Sequence, residues 1–462
     1  MAMLKKILVL VFGIALWFIP APEGISPEAW HLFAIFITTI FSVVFGVLGI
    51  LVASMLGLVA AIFTQTLSPQ VAFSGFSNDI VLLIVMAFLI AKAVVKSGLG
   101  NRIALLMIAR FGKTTLGLGY SMIATDMLIA PAFPSNTARS GLLFPIVYSV
   151  AIANGSDPEK GTEKKLGSFL MFTSMVGIGL SSAMWLTAMA VNPAGAAIAA
   201  DYGLEINFGS WILAASVPTL FAAVALPWVL YKIYPPEVKT TPNAPVYAKE
   251  QLAKMGALSR NEKITAAVFV LLVIAWALSE TLGINRTATA FLGLGLLLLT
   301  NVFALEDIRK EGEALITMIW FAILFTMSSA LNEMGFMNYV GTLLSAQIAV
   351  FAKPVAFTLL VLIYVLFHYL FVSQTAHLLA LFGVFMGAGA SLGLNVMLLA
   401  YMLLFATNYF SVITPQGSSC NVLYLSSGYI KQADVYKLGG LMTFLSATIY
   451  LTLGVGWLLL IG

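Results

Sequence analysis

The chain has 462 residues, of which 61% are hydrophobic and 9% charged, with a net charge of +4. Soluble domains carry about 25% charged residues and mean hydropathy here is +1.01, which excludes a soluble globular protein. One cysteine, Cys420, excludes a disulfide framework or a cysteine-based metal site, and the three histidines, His31, His368 and His377, show no metal-ligand spacing.

Apolar runs of spanning length, about 17–25 residues each, recur from end to end. Lys5-Lys6 and the run 7–20 resemble a signal peptide, but the run ends in Ile19-Pro20-Ala21-Pro22-Glu23 without a small-residue cleavage site. It reads as a first transmembrane helix, 4–20. Further spans are predicted near 30–46, 48–66, 79–98, 168–190, 209–232, 263–282, 287–304, 314–333, 394–412 and 438–461, about eleven in all. Two apolar stretches, near 115–153 and 354–392, are left over and read as re-entrant hairpins. With the N-terminus cytoplasmic and the C-terminus outside, nearly every Lys and Arg then falls on the cytoplasmic side, leaving Arg286 and Lys353 outside and Arg139 within the membrane. That asymmetry is the positive-inside pattern. The predicted fold class is an all-α polytopic membrane protein of the cytoplasmic membrane.

The most polar stretch, 234–262, divides the chain almost in two and reads as a cytoplasmic linker. Gly98 and Asn101 match Gly335 and Asn338 at an offset of 237, Ser135 and Thr137 match Ser373 and Thr375 at 238, and Ser181-Ser182 match Ser418-Ser419 at 237. Three matches at nearly one spacing predict an internal duplication: residues 1–29 an extra helix and loop, 30–233 the first repeat, and 263–462 the second. Five spans plus a hairpin per repeat force the two to be inverted, the architecture of secondary transporters.

The shared element is Ser135-Asn136-Thr137-Ala138-Arg139 against Ser373-Gln374-Thr375-Ala376-His377. Irregular backbone in a bilayer is tolerated only where it lines a cavity or is buried in protein, and Pro131, Pro134, Gly141 and Pro145 interrupt the helix around the first motif. A hairpin tip presents helix N-terminal N–H groups, an anion-binding geometry. Hydroxyl and amide donors add to it. Two tips would hold one carboxylate each, so a substrate with two negative ends is expected. The alternative for such residues is interhelical hydrogen bonding. Arg139 has two readings, as a permanent positive charge beside the anion or as the partner of Asp126, the only acid between Asp79 and Asp157. His377 is either a charge near the site or a packing histidine.

Two further apolar spans are punctuated. Residues 177–195 carry Ser181, Ser182, Thr187 and Asn192-Pro193, and 411–428 carry Thr414-Pro415, Gly417, Ser418, Ser419 and Asn421. Both read as helices unwound partway, with Thr187, Thr414, Pro415 and Gly417 as candidate walls of the site. No phosphate loop, catalytic triad or metal cluster occurs, so enzyme chemistry has no foothold, and no cofactor or nucleic-acid partner is expected.

The paired motifs, Thr414-Pro415-x-Gly417 and the ending "YLSSGYIKQADVYKLG" (424–439) resemble the divalent anion/sodium symporter family over essentially the whole chain. "PSNTARSG" and "SQTAH" look more like its exchanger branch of citrate/succinate antiporters and 2-oxoglutarate/malate translocators. The resemblance implies a homodimer in the lipid bilayer, with a scaffold domain and a transport domain that moves as an elevator. It also implies di- or tricarboxylate substrates held by Ser135, Asn136, Thr137, Ser373, Gln374 and Thr375. Sodium-coupled relatives typically have Asn where this chain has Gln374. Arg139 and His377 follow the motifs, and the expectation is that these charges replace bound sodium and restrict the carrier to obligatory exchange. A sodium-coupled dicarboxylate symporter is the alternative.

Overall fold

The computed structural model describes residues 2–461, and among them helices joined by short turns make up the chain, with no strand beyond an isolated bridge between Thr114 and Thr240. Among the described residues seven helices are long and apolar enough to cross a membrane: Pro27–Val44, Asp79–Ser97, Gly167–Met184, Phe208–Ile233, Gly312–Glu333, Lys353–Leu370 and Gln432–Ile461. Shorter apolar helices cover Ile50–Phe63, Val191–Ala200, Arg286–Leu299 and Val396–Val412. Helices stand at the places of the expected spans, those at 4–20 and 263–282 being Ala2–Phe18 and Arg260–Ala277, and Lys353–Leu370, expected as a hairpin arm, is itself long and apolar enough to cross. The span expected over 168–190 stops at Met184, because the chain turns extended at Trp185 (φ −125°, ψ 128°).

Both leftover stretches double back on themselves. Thr115–Ile129 and Asn136–Ala153 flank a tip in the first, where Asp126 and Arg139 meet across the turn. Lys353–Phe367 and Gln374–Ser391 flank the second, where the rings of Tyr364 and Phe385 lie 5.2 Å apart.

The polar linker is not a loose tether. It contains the helix Asn243–Met255 and is tied by main-chain contacts to the start of the first hairpin. Thr115 N donates to Lys239 O at 3.0 Å and Thr241 Oγ1 to Gly112 O at 2.7 Å. Past the helix, Arg102 donates to Gly256 O at 3.0 Å and forks onto Glu262, at 2.5 Å from Nε to Oε1 and 3.1 Å from Nη2 to Oε2. Glu262 also closes a capping box with Ser259 at the head of Arg260–Ala277.

Packing divides the chain into two compact units that interleave along the sequence. The first is Met1–Val85, Pro193–Ile206 and Glu311–Leu403, and the second is Met86–Asn192, Asn207–Lys310 and Leu404–Gly462. A repeat divides a chain by descent and packing divides it by burial, so the two partitions need not coincide. The second unit holds the first tip and both helix breaks, and its core includes Met122, Phe169, Phe172, Cys420 and Tyr424. The first unit holds the second tip.

Candidate functional site

The first tip is built by proline. Ala130–Ala132 forms one tight turn, Phe133 is extended, and Pro134 leads into Ser135, whose side chain accepts from Ala138 N at 3.2 Å and caps Asn136–Ala153. The carbonyls left over by the turn are claimed by the neighbouring break: Thr187 Oγ1 donates to Pro131 O at 2.8 Å and Ala190 N to Pro134 O at 3.0 Å. The hydroxyl proton of Thr187 is thus committed to steadying the tip. Thr137 is exposed, and its Oγ1 lies 2.6 Å from Ser419 Oγ.

Behind the tip sits Arg139, with no exposed surface. Its Nη2 donates to Asn136 Oδ1 at 2.8 Å, to Ile178 O at 3.2 Å and to Ser182 Oγ. Its Nε lies 3.5 Å from Asp126 Oδ1, and Ser181 donates to Asp126 Oδ2. Of the two readings open in the sequence, the ion pair with Asp126 is present. The expectation of an uncompensated positive charge at Arg139 is corrected accordingly, because a buried carboxylate cancels it.

The pairing fixes Asn136. A guanidinium only donates, so the carboxamide oxygen must face Arg139, and Ser182 Oγ approaches the same oxygen at 2.7 Å. The amide NH2 is left pointing the other way, toward Met189 Sδ at 3.6 Å. The helix at the tip opens with its first N–H groups and the exposed Thr137 hydroxyl, and the buried Asn136 amide is held with its N–H side away from Arg139.

The broken helices are held by asparagines. Asn192 Nδ2 donates to Ser182 O at 2.9 Å and Trp185 O at 3.1 Å, and Asn421 Nδ2 donates to Ser411 O at 2.7 Å and Thr414 O at 3.0 Å. Each clasp spans ten and seven residues back and satisfies carbonyls that the missing turn abandons. Asn408, a residue the sequence did not single out, donates to Asn192 Oδ1 at 2.8 Å. Thr414 and Pro415 are buried in the second break, where Gly417 N closes the turn onto Thr414 O at 3.1 Å.

The second tip repeats the local geometry of the first. Ser373 (φ −147°, ψ 126°) caps Gln374–Ser391 much as Ser135 (φ −145°, ψ 121°) caps its helix, and its side chain accepts from Ala376 N at 3.3 Å. Gln374 and Thr375 are buried in the first turn. His377, fully buried, packs edge-on to Tyr364 at 4.3 Å and beside Phe371 at 4.9 Å. The histidines are also less scattered than the sequence implies, since the Nδ1 atoms of His368 and His377 lie 3.4 Å apart across the tip.

One pairing in the sequence register is corrected. Ser181 and Ser182 lie inside a helix before its break, whereas Ser418 and Ser419 follow theirs. The asparagine clasps match Ser182 with Ser411 and Asn192 with Asn421, at an offset of 229. The reason is the connection after each hairpin, 154–166 in one case and 392–395 in the other, nine residues shorter.

A profile of the family described as "Sodium:sulfate symporter transmembrane region" matches residues 1–462. The chain belongs to the divalent anion/sodium symporter family. Among its members, YflS of Bacillus subtilis (strain 168) is 39% identical over 97% of this chain and 95% of its own. Dicarboxylate transporter 2 of Spinacia oleracea chloroplasts is 37% identical over 100% of this chain and 83% of its own. The fold alone is also similar to Neisseria gonorrhoeae MtrF, one of a class of antimetabolite efflux pumps. The TM-score is 0.55, at 14% identity over 100% of this chain and 95% of that one. Family membership makes this chain a membrane protein and a transporter.

Proposed function

We infer that the protein exchanges C4 to C6 di- or tricarboxylates across the cytoplasmic membrane by obligatory antiport, without sodium. Relatives named as dicarboxylate transporters support the substrate class, and the N–H and hydroxyl donors of the tip suit ionised carboxylate. On this reading Ser135, Asn136 and Thr137 bind one end of the anion and Ser373, Gln374 and Thr375 the other. Thr414, Pro415 and Gly417 shape the wall, and Thr187 acts by holding the tip. The twin caps and clasps support descent of the two tips by inverted duplication, and the family resemblance supports a homodimer moving as an elevator.

One observation carries sodium independence: a single guanidinium nitrogen of Arg139 occupies Asn136 Oδ1, Ile178 O and Ser182 Oγ. Those oxygens are the kind a sodium ion would need, and they are taken by a cation that cannot leave. Exchange follows from the same feature. An empty tip carries the partial positive charge of helix N-termini with no releasable ion to cancel it, so it crosses a low-dielectric barrier readily only with an anion bound.

The family's description favours a second reading, a sodium-coupled symporter with sulfate or dicarboxylate as substrate. Liposomes separate the two. Labelled succinate is offered to empty or succinate-loaded vesicles, with and without sodium, and with sulfate as competitor. Uptake confined to loaded vesicles and unchanged by sodium is expected. Uptake into empty vesicles that needs sodium, or competition by sulfate alone, refutes the proposal.

A further inference from the structure

Helix Ala2–Phe18 packs antiparallel against Pro27–Val44, which in turn packs on Ile50–Phe63. Close approach is set by small residues: a Cβ on Gly13 would collide with Thr38 and one on Gly57 with Thr39. Trp17 stacks on His31 at 3.9 Å and Trp30 Nε1 donates to Leu16 O at 3.1 Å, joining the first two helices. Between the three helices lies a groove of about 360 Å³, lined among others by Leu10, Ile14, Trp17, Thr38, Leu56 and Ala60.

The groove is lined mainly by apolar side chains, and the hydroxyl protons of three of its polar residues are used within their own helices. Thr38 Oγ1 donates to Ala34 O at 2.6 Å, Thr39 Oγ1 to Ile35 O at 2.9 Å and Ser42 Oγ to Thr38 O at 2.9 Å, so the proton of each hydroxyl is committed to its own helix. Along Ala2–Phe18 the groove runs from Leu10 to Phe18, about 12 Å at a rise of about 1.5 Å per residue. One to two turns before Leu10, near the start of the helix, stand Lys5 and Lys6, both exposed and, among the described residues, in no ion pair. The turn between the second and third helices, 45–49, carries no charge that could answer them.

We propose that this groove is a site for one anionic phospholipid, its acyl chain lying along Leu10, Ile14 and Trp17 and its phosphate held by Lys5 and Lys6. An apolar trough ending at two unpaired cations matches the two ends of such a lipid. A second copy of the chain fits less well. A two-fold axis normal to the membrane would bring its own lysine pair to the same depth, like charge against like.

The test titrates the purified protein in detergent with dioleoylphosphatidylglycerol or dioleoylphosphatidylcholine and counts bound lipids by native mass spectrometry. One phosphatidylglycerol per chain is expected to be retained in preference to phosphatidylcholine. The double variant Lys5→Gln/Lys6→Gln should lose that preference, a drop of about 25-fold at about fivefold per lysine. Ala60→Trp, which fills the trough, should lose both lipids. The lysine variant changes only exposed side chains, so its fold is not at issue. Equal binding of the two lipids by the wild type, or phosphatidylglycerol binding unmoved in both variants, overturns the proposal. So does a lipid-free dimer that Ala60→Trp dissociates, which would place a second copy in the groove.

Discussion

Asp126→Asn removes the carboxylate that balances Arg139 and leaves a guanidinium buried among neutral groups. Breaking a buried pair from one side costs about 3–5 kcal/mol, and here both partners are essentially inaccessible, with side chains 0% and 2% exposed. The loss should be seen in equilibrium unfolding in mixed micelles. Adding Arg139→Met removes the orphaned charge, and the double variant is expected to recover about 2–3 kcal/mol of that loss as coupling between neighbours. Its transport should not recover. Without Arg139 the Asn136 carboxamide is free to turn its oxygen outward, and forfeiting one charge-assisted hydrogen bond, about 1.5–3 kcal/mol, raises the KM for succinate exchange at least tenfold. Three results would refute the reasoning: Asp126→Asn as stable as wild type, a double variant no better than the single, or tighter succinate binding by Asp126→Asn. The last would mean that Arg139 acts on the anion as a bare charge.

Asn192→Ala and Asn421→Ala should each destabilise by about 1–3 kcal/mol, since each strands one buried carbonyl, Ser182 O or Ser411 O, while Trp185 O and Thr414 O keep the N–H groups of Ala188 and Gly417, and proteolysis at the breaks would report it. Thr137→Val should weaken succinate exchange through KM while leaving unfolding nearly unchanged, because Thr137 is exposed and its hydroxyl meets only Ser419. The hydrogen bond from Arg102 holds the Glu262 carboxyl below the usual carboxylate range, and the Ser259 cap acts in the same direction. Its contribution to stability is therefore fully present above the unfolded value of about 4.3 and is lost as pH falls through the lower folded one. Unfolding of wild type and Glu262→Gln compared across pH 3–7 should show a constant gap above about pH 5 that closes in acid. Gly341→Ala should unfold markedly more easily, since its Cβ would sit 2.7 Å from Ala388 N and 2.8 Å from Val384 O, both backbone atoms that cannot step aside.

The tips were legible because proline and serine act locally: Pro134 ends regular structure and Ser135 restarts it, whatever surrounds them. The breaks were legible for the same reason, in Asn192-Pro193 and Thr414-Pro415. What stayed hidden depends on distance in space. Nothing local says that His368 and His377, nine residues apart, face each other; that follows only once the chain doubles back between them. Ser182 could not be matched with Ser411 while the differing lengths of 154–166 and 392–395 were unknown. The charge of Arg139 pointed equally to an anion and to Asp126, and burial rather than residue type decides between them. The linker's polarity signalled a boundary correctly but concealed its anchoring, which joins Thr115 N to Lys239 O, Thr241 to Gly112 O and Arg102 to Glu262 across distances in sequence that no local pattern reveals.

An amide whose oxygen is engaged twice over behaves as a one-way reader. Asn136 can answer a lone pair and cannot answer a hydroxyl proton. Any ligand resting on this tip is thus sorted by protonation state as well as by shape. A carboxylate offers two anionic acceptor oxygens to these donors, while its conjugate acid and a carboxamide each offer one neutral carbonyl oxygen and so a weaker hydrogen bond. Mild acidification would weaken such a carrier by changing its cargo, with no titrating group of its own involved, and succinamate, which has one neutral end, would bind less tightly than succinate.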